Sequence, residues 1–171
     1  MNTNIFVKTN KDVEINYWNG LNREKAFQLE KSCLTKLNSN FECICNIKCN
    51  HFPQIINDYP KKYTFLLTDC GFSLDRDESN SIIVRNIEEQ VNCIIHNLKK
   101  NKVKHLDMHI SGKNICINKE GNISVIDFDY AVIDDNCLSD KIKTKLLMVN
   151  ENYYENLKKK IINIISNKYN L

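Results

Sequence analysis

The sequence predicts an α+β fold. Three observations carry that expectation. The stretch from Ser81 to about Lys100 places Ile83, Ile87, Val91, Ile94/Ile95 and Leu98 at the 3-and-4 spacing of a core-facing helix. The run KYTFLLTD, Lys62–Asp69, reads as a buried strand ended by Gly71. Asn114–Asn118 and Asn122–Phe128 flank Lys119-Glu120-Gly121, the short glycine-turned loop of a hairpin.

The remaining elements follow in chain order. Ile5–Thr9 and Val13–Trp18, separated by Asn10-Lys11-Asp12, read as two strands of an N-terminal hairpin. Asn22 to about Leu37 is helical, with Ala26, Phe27, Cys33, Leu34 and Leu37 largely on one face. Ser39–Asn50 is a polar, cysteine-rich loop. His51-Phe52-Pro53 then leads into a short apolar stretch, Gln54–Asp58. Leu74–Asn80 is a charged connector, and Ser81 is expected to cap the following helix. Val103-Lys104 runs into a polar loop, His105–Lys113. Ser139–Leu171 reads as two helices, the second marked by Tyr153/Tyr154, Leu157, Ile161 and Ile164/Ile165.

Composition bounds the function. The chain has 171 residues, enough for one domain or one domain with two small lobes. A hydrophobic fraction of 42% excludes wholesale disorder. A net charge of +3 is too mild to predict nucleic-acid binding. Asn, Ile and Lys make up roughly 40% of the chain, against 4 Gly and 2 Pro, which reads as A/T-rich codon usage. The start, MNTNIFVKTNKD, lacks the apolar core of a signal peptide, and no apolar run reaches membrane-span length. An intracellular location, no membrane partner and eight reduced cysteines are therefore expected.

The segment HLDMHISGKNICINKEGNISVIDFDYA carries the chemistry. Asp107 and Asn114 bracket a polar loop that feeds a strand, and Asp127 ends the partner strand. A tight hairpin sets Asn114 beside Asp127. An amide oxygen and a carboxylate there form a hard oxygen site suited to Mg²⁺ and a phosphate. Asp107 is then placed to orient an attacking hydroxyl or accept its proton. A second cluster, Cys43, Cys45, Cys49 and His51, has the ligand types of a zinc site but not the usual paired spacing. Scattered thiols of a reducing compartment account for it more simply, and His51 also stands at the entry to a strand.

The order His105-Leu106-Asp107, Asn114, Asp127-Phe128-Asp129 resembles the protein-kinase-like superfamily. Asn114 comes seven residues after Asp107 rather than the usual five, which a two-residue loop insertion explains. Asp129 stands where a glycine is usual, and His109 is similar to the residue found in aminoglycoside and choline phosphotransferases. Upstream, Glu30 looks like the helix-C glutamate and Lys8 like its lysine partner, which holds the α/β-phosphates. His51–Ile56 looks like the start of strand 4, and residues 81–100 look like helix E. Phe65–Gly71 looks like strand 5 and the hinge, where the backbone of Asp69 and Cys70 would bind adenine.

The resemblance covers about residues 5–134. It implies a truncated two-lobed fold: a small N-terminal β-sheet plus helix C over about 1–70, and a reduced helical C-lobe over 71–171. It implies ATP and Mg²⁺ as cofactors. Asp107 and His109 would be catalytic, and Lys8, Glu30, Asp69, Cys70, Asn114 and Asp127 would bind the cofactor, with Asn114 and Asp127 on the metal. A Ser/Thr protein acceptor is the first expectation and a small-molecule acceptor the second. None of the four glycines forms a phosphate-covering loop, which keeps open a pseudokinase that docks on a partner protein. An A/T-rich, stripped-down kinase suits a large DNA virus and hence a host cytoplasm. Taken singly, the same residues have plainer explanations: Lys8 as a solvated lysine, Glu30 as a surface ion pair, His105 as a packing residue.

Overall fold

The computed structural model describes residues 5–10, 23–47, 50–133 and 152–171. The described residues form an α+β arrangement of small antiparallel sheets and three helices. The first sheet holds β1 (Ile5–Thr9), β2 (Ile55–Tyr59) and β3 (Thr64–Thr68) in the order β1-β3-β2. The second holds β4 (Phe72–Ser73), β6 (Ile115–Ile117) and β7 (Ile123–Val125). The third pairs β5 (Val103–His105) with β8 (Ala131–Ile133).

The helices are α1 (Arg23–Ser39), α2 (Ile87–Lys100) and α3 (Tyr153–Tyr169). The buried face of α1 is Ala26, Phe27, Glu30, Cys33, Leu34 and Leu37. This is the apolar stripe of the sequence with one carboxylate added. Phe27 stacks on Phe65 of β3 at 4.3 Å, which fixes α1 against the first sheet. Helix α3 packs on α2 through Leu157, Ile161 and Ile165, and the Tyr153 hydroxyl donates to the His105 carbonyl at 2.7 Å. Among the described residues no helix is long and apolar enough to cross a membrane.

One local expectation needs correction. Ser81 does not cap a helix. It ends a 3₁₀ turn, Asp77–Ser81, where its hydroxyl donates to the Glu78 carbonyl, and α2 starts six residues later. The apolar spacing misled because Ile82 is buried while Ile83 is exposed, the alternation of an extended segment. That segment lies along the hairpin turn: a Cβ at Gly121 would meet the Ile83 carbonyl at 2.4 Å. Gln90 secures the turn, donating to the Arg85 and Gly121 carbonyls and accepting from the Ile123 N–H.

Strand β1 pairs with β3 among the described residues, with Lys8 opposite Phe65. The expected partner, Val13–Trp18, lies outside the described residues, as does the first helix of the tail. The apolar, β-branched run of Thr64–Thr68 is bordered by β1 on one side and β2 on the other.

Candidate functional site

The β6–β7 hairpin builds the centre of the site. Its register pairs Ile115 with Val125 and Ile117 with Ile123, all buried. The ladder continues one bond further, from the Ile126 N–H to the Asn114 carbonyl at 3.1 Å. Asn114 and Asp127 therefore sit at the adjoining ends of two strands. The Asn114 amide donates to the Asp107 carbonyl at 2.5 Å and to Asp107 Oδ2 at 3.1 Å. This orients the amide so that its Oδ1 is directed away from Asp107, and among the described residues Oδ1 accepts no hydrogen bond. Gly112, at φ +77°, makes the turn before Asn114, and a Cβ there would meet Leu74 Cβ at 2.7 Å.

The first sheet and α1 bring three charges to this point. Lys8 Nζ donates to both Glu30 oxygens at 2.7 Å and to Asp127 Oδ1 at 2.5 Å. Glu30 is fully buried. It also accepts from Asn10 Nδ2 at 3.1 Å and from the Phe128 N–H at 3.3 Å. Burial alone would lower the Lys8 pKa, but the carboxylates of Glu30 and Asp127, with Asp129, outweigh it and hold the ammonium charged. Asp127 feels the converse: burial raises its pKa, and Lys8 overrides burial and holds it below the usual carboxylate range. Asp127 is also a non-glycine residue at φ +70°. Such a conformation costs free energy and persists where the surroundings over-determine it, commonly at functional sites.

Asp129 is the residue that sequence reasoning undervalued. Burial, then the repulsion of Asp127 and Glu30 against the attraction of Lys8, pushes its carboxyl up to about 7. It hydrogen-bonds to Asp127, and its Oδ1 is buried with no partner. The signal was present in the sequence as a second aspartate two residues after Asp127. Asn114 Oδ1 and Asp127 offer the hard oxygen ligands that Mg²⁺ prefers, so these residues fit that ion.

A cleft of about 630 Å³ opens onto Asn114 and Asp127. That volume lies in the range of small-molecule and cofactor sites. Lys8, Asp69, Cys70, Asn114 and Asp127 all line it, so five of the eight expected site residues meet in one cavity. Phe6, Leu67 and Ile126 give it an apolar portion. Along one side runs Thr68–Gly71. Asp69 Oδ1 accepts from the Gly71 N–H at 2.9 Å, and the backbone groups of Asp69 and Cys70 bond to no other backbone group among the described residues. Gly71, at φ +92°, is obligatory, because a Cβ would stand 2.2 Å from the Ile117 carbonyl. Burial pushes the Cys70 thiol up to about 11, so it presents a neutral sulfur.

The other expected residues are placed differently. Glu30 lies behind Lys8, out of the cleft lining. Asp107 is outside the lining too, but Lys113, which lines the cleft, pairs with its Oδ2 at 3.1 Å. Arg76 adds a further cation that the sequence did not single out. His109 is exposed, its Nδ1 bonded to the Ser111 hydroxyl at 2.8 Å, and it is not among the residues lining the cleft. His105 donates from Nε2 to the Ile126 carbonyl at 2.9 Å and packs edge-on against Phe128, the supporting role expected of it. Burial lowers its pKa, keeping the ring neutral. No protein-family model matches the chain, and no curated protein matches it.

Proposed function

We propose that this chain is an ATP- and Mg²⁺-dependent phosphotransferase of the protein-kinase-like kind. The observation that carries the reading is that Lys8, held from behind by Glu30 and bonded to Asp127, lines one cleft together with Asp127, Asn114 and Lys113, the partner of Asp107. On this reading the first sheet and α1 are a small N-terminal lobe over about residues 1–70, and residues 71–171 are a reduced C-lobe. Adenine lies along the backbone of Asp69 and Cys70, and the phosphates extend toward Lys8.

Asn114 and Asp127 would hold Mg²⁺, with Asp129 beside them. When bound, the ion neutralises charge on the phosphate oxygens. The protein's own part is positional and electrostatic. Glu30 fixes the Lys8 ammonium, which pairs with phosphate oxygens. Asp107, steadied by Asn114 and Lys113, accepts the proton of an acceptor hydroxyl as its oxygen bonds to the γ-phosphorus and ADP leaves. A serine or threonine of a protein is the proposed acceptor, with a small-molecule alcohol as the alternative.

A second reading has its own support. All three Lys8 N–H bonds are already satisfied by Glu30 and Asp127. A nucleotide must compete for that ammonium, and the four glycines provide no phosphate-covering loop. Both features suit a pseudokinase that docks on a partner protein. Titration calorimetry with ATP, with and without Mg²⁺, separates the outcomes. Mg²⁺-dependent binding that disappears in Asp127→Ala supports the enzyme. No binding of any nucleotide refutes it. Binding with no transfer to protein or small alcohols supports the pseudokinase.

A further inference from the structure

Apart from the residues that line the cleft, three cysteine sulfurs come together. The Sγ atoms of Cys43, Cys45 and Cys93 all lie within 4.8 Å of one another, and Cys43 and Cys45 are 3.6 Å apart. His51 Nε2 is 3.3 Å from Cys45 Sγ. We propose that Cys43, Cys45, Cys93 and His51 form a structural Zn²⁺ site. The inference is independent of the phosphotransferase reading, since none of these residues lines the cleft.

Two of the six ligand–ligand distances already match those the ion requires. Zinc bonds thiolate sulfur at about 2.3 Å and imidazole nitrogen at about 2.0–2.1 Å in a tetrahedron, which sets edges of about 3.8 Å between sulfurs and about 3.6 Å between sulfur and nitrogen. The observed 3.6 Å and 3.3 Å lie within a few tenths of an ångström of those edges. Closing the tetrahedron draws Cys93, whose sulfur is within 4.8 Å of the other two, and His51 in toward the ion.

The surroundings prepare the ligands. His51 donates from Nδ1 to the Ile123 carbonyl at 2.6 Å, which fixes the tautomer and turns the Nε2 lone pair toward the sulfurs. That outer bond is what metal-binding histidines characteristically make. Cys93 Sγ accepts the Ile44 N–H at 3.4 Å and lies 3.8 Å from Asn97 Nδ2, donors that would offset thiolate charge. Asn97 clamps the cysteine loop to α2 through both the N–H and the carbonyl of Glu42, each at 2.8 Å.

The sequence could not assemble this set. Cys43, Cys45 and His51 are close neighbours in the chain, but Cys93 arrives from α2, and its helical position reads as core. Cys49, the fourth member of the sequence cluster, lies outside the described residues. Binding forms three Zn–S bonds and one Zn–N bond. The three thiols release their protons to solvent, and the Cys43 and Cys45 contacts to the Ile47 carbonyl are given up. The ion would pin the segment between α1 and β2 to α2 and to the β6–β7 hairpin.

The test uses the full chain, produced with zinc in the medium and purified under reducing conditions. Plasma mass spectrometry should find one zinc per chain. Cys43→Ser and Cys93→Ser should each lose at least nine-tenths of it, while Cys33→Ala, a buried cysteine outside the cluster, should keep it. Because a ligand variant could fail to fold, the metal-free chain is also titrated with Co²⁺. Tetrahedral d–d bands and thiolate charge-transfer absorption at one equivalent, both lost on adding Zn²⁺, are expected. A chain that purifies without zinc and gives no such bands overturns the proposal. So does a Cys93→Ser chain that retains one zinc.

Discussion

Replacing Glu30 by glutamine tests whether the buried charge cluster is a built site or an incidental ion pair. The two Glu30 oxygens accept four hydrogen-bond contacts: two from Lys8 at 2.7 Å, one from Asn10 at 3.1 Å and one from the Phe128 N–H at 3.3 Å. A glutamine of the same shape has one acceptor oxygen and one NH₂. However it is turned, its NH₂ faces Lys8 and one further donor. A buried donor left without an acceptor costs about 1–3 kcal/mol. Lys8 also loses one of its two countercharges, and removing one partner of a buried pair costs about 3–5 kcal/mol. Lys8 keeps Asp127 and is 17% exposed, which places the expected loss near the lower end, at about 3 kcal/mol. Urea unfolding followed by circular dichroism at pH 7 reads it, with an unchanged slope. For a chain of this length the melting temperature should fall by about 6–12 °C. Lys100→Met, which removes an exposed partner of Glu42, should change neither quantity measurably. A Glu30→Gln loss below about 1 kcal/mol would refute the reasoning, because the cluster would then contribute no more than a surface pair.

Further outcomes follow from the same geometry. The Asp129 carboxyl is raised to about 7 from an ordinary 3.8, so the folded chain holds a proton that the unfolded chain has lost between those values. Its contribution to stability is therefore largest at the acid end and declines as pH rises through about 7. Asp129→Asn should unfold at higher urea than the native chain at pH 8, by on the order of 2 kcal/mol after allowance for partial exposure, with the difference shrinking by pH 5. A difference independent of pH would contradict this. Gly71→Ala forces an L-residue to φ +92° with its Cβ 2.2 Å from the Ile117 carbonyl. It should cost about 3 kcal/mol and abolish any ATP-induced thermal shift, and a near-native melting temperature would show that the turn can relax. Asp107→Ala should lose phosphoryl transfer while keeping nucleotide affinity within a few fold, as seen by calorimetry. Loss of both would show that Asp107 supports the cleft rather than the chemistry.

Elements with a strong local period were legible in the sequence. The stripe of α1, the β6–β7 hairpin with its Gly121 turn and the apolar face of α3 were all read from spacing alone. Non-local pairing was not: the register of β1 with β3 depends on residues about sixty positions away. The start of α2 was misplaced because Ile82, Ile83 and Ile87 fit a helical spacing as well as an extended approach. Only tertiary contacts with Gly121 and Gln90 decide between them. At the site, the positions of Asn114 and Asp127 followed from hairpin geometry, whereas the Lys8–Glu30 pair was reached only through a family resemblance. Asp129 was noted only as a replacement for a glycine, and Lys113 was passed over because a lone lysine in a polar loop carries no spacing signal. Their roles come from burial beside Asp127 and from proximity to Asp107.

The central claim is that the cleft transfers the γ-phosphoryl group of ATP. The most direct measurement is transfer of γ-labelled phosphate from ATP in the presence of Mg²⁺. It would be made with the purified full chain, with mixed Ser/Thr protein acceptors and small alcohols in separate reactions, and with Asp127→Ala beside it. The account predicts label in an acceptor that requires Mg²⁺ and falls at least a hundredfold in Asp127→Ala. Label transfer that is equal in the variant, or absent with every acceptor while ATP still binds, would contradict it.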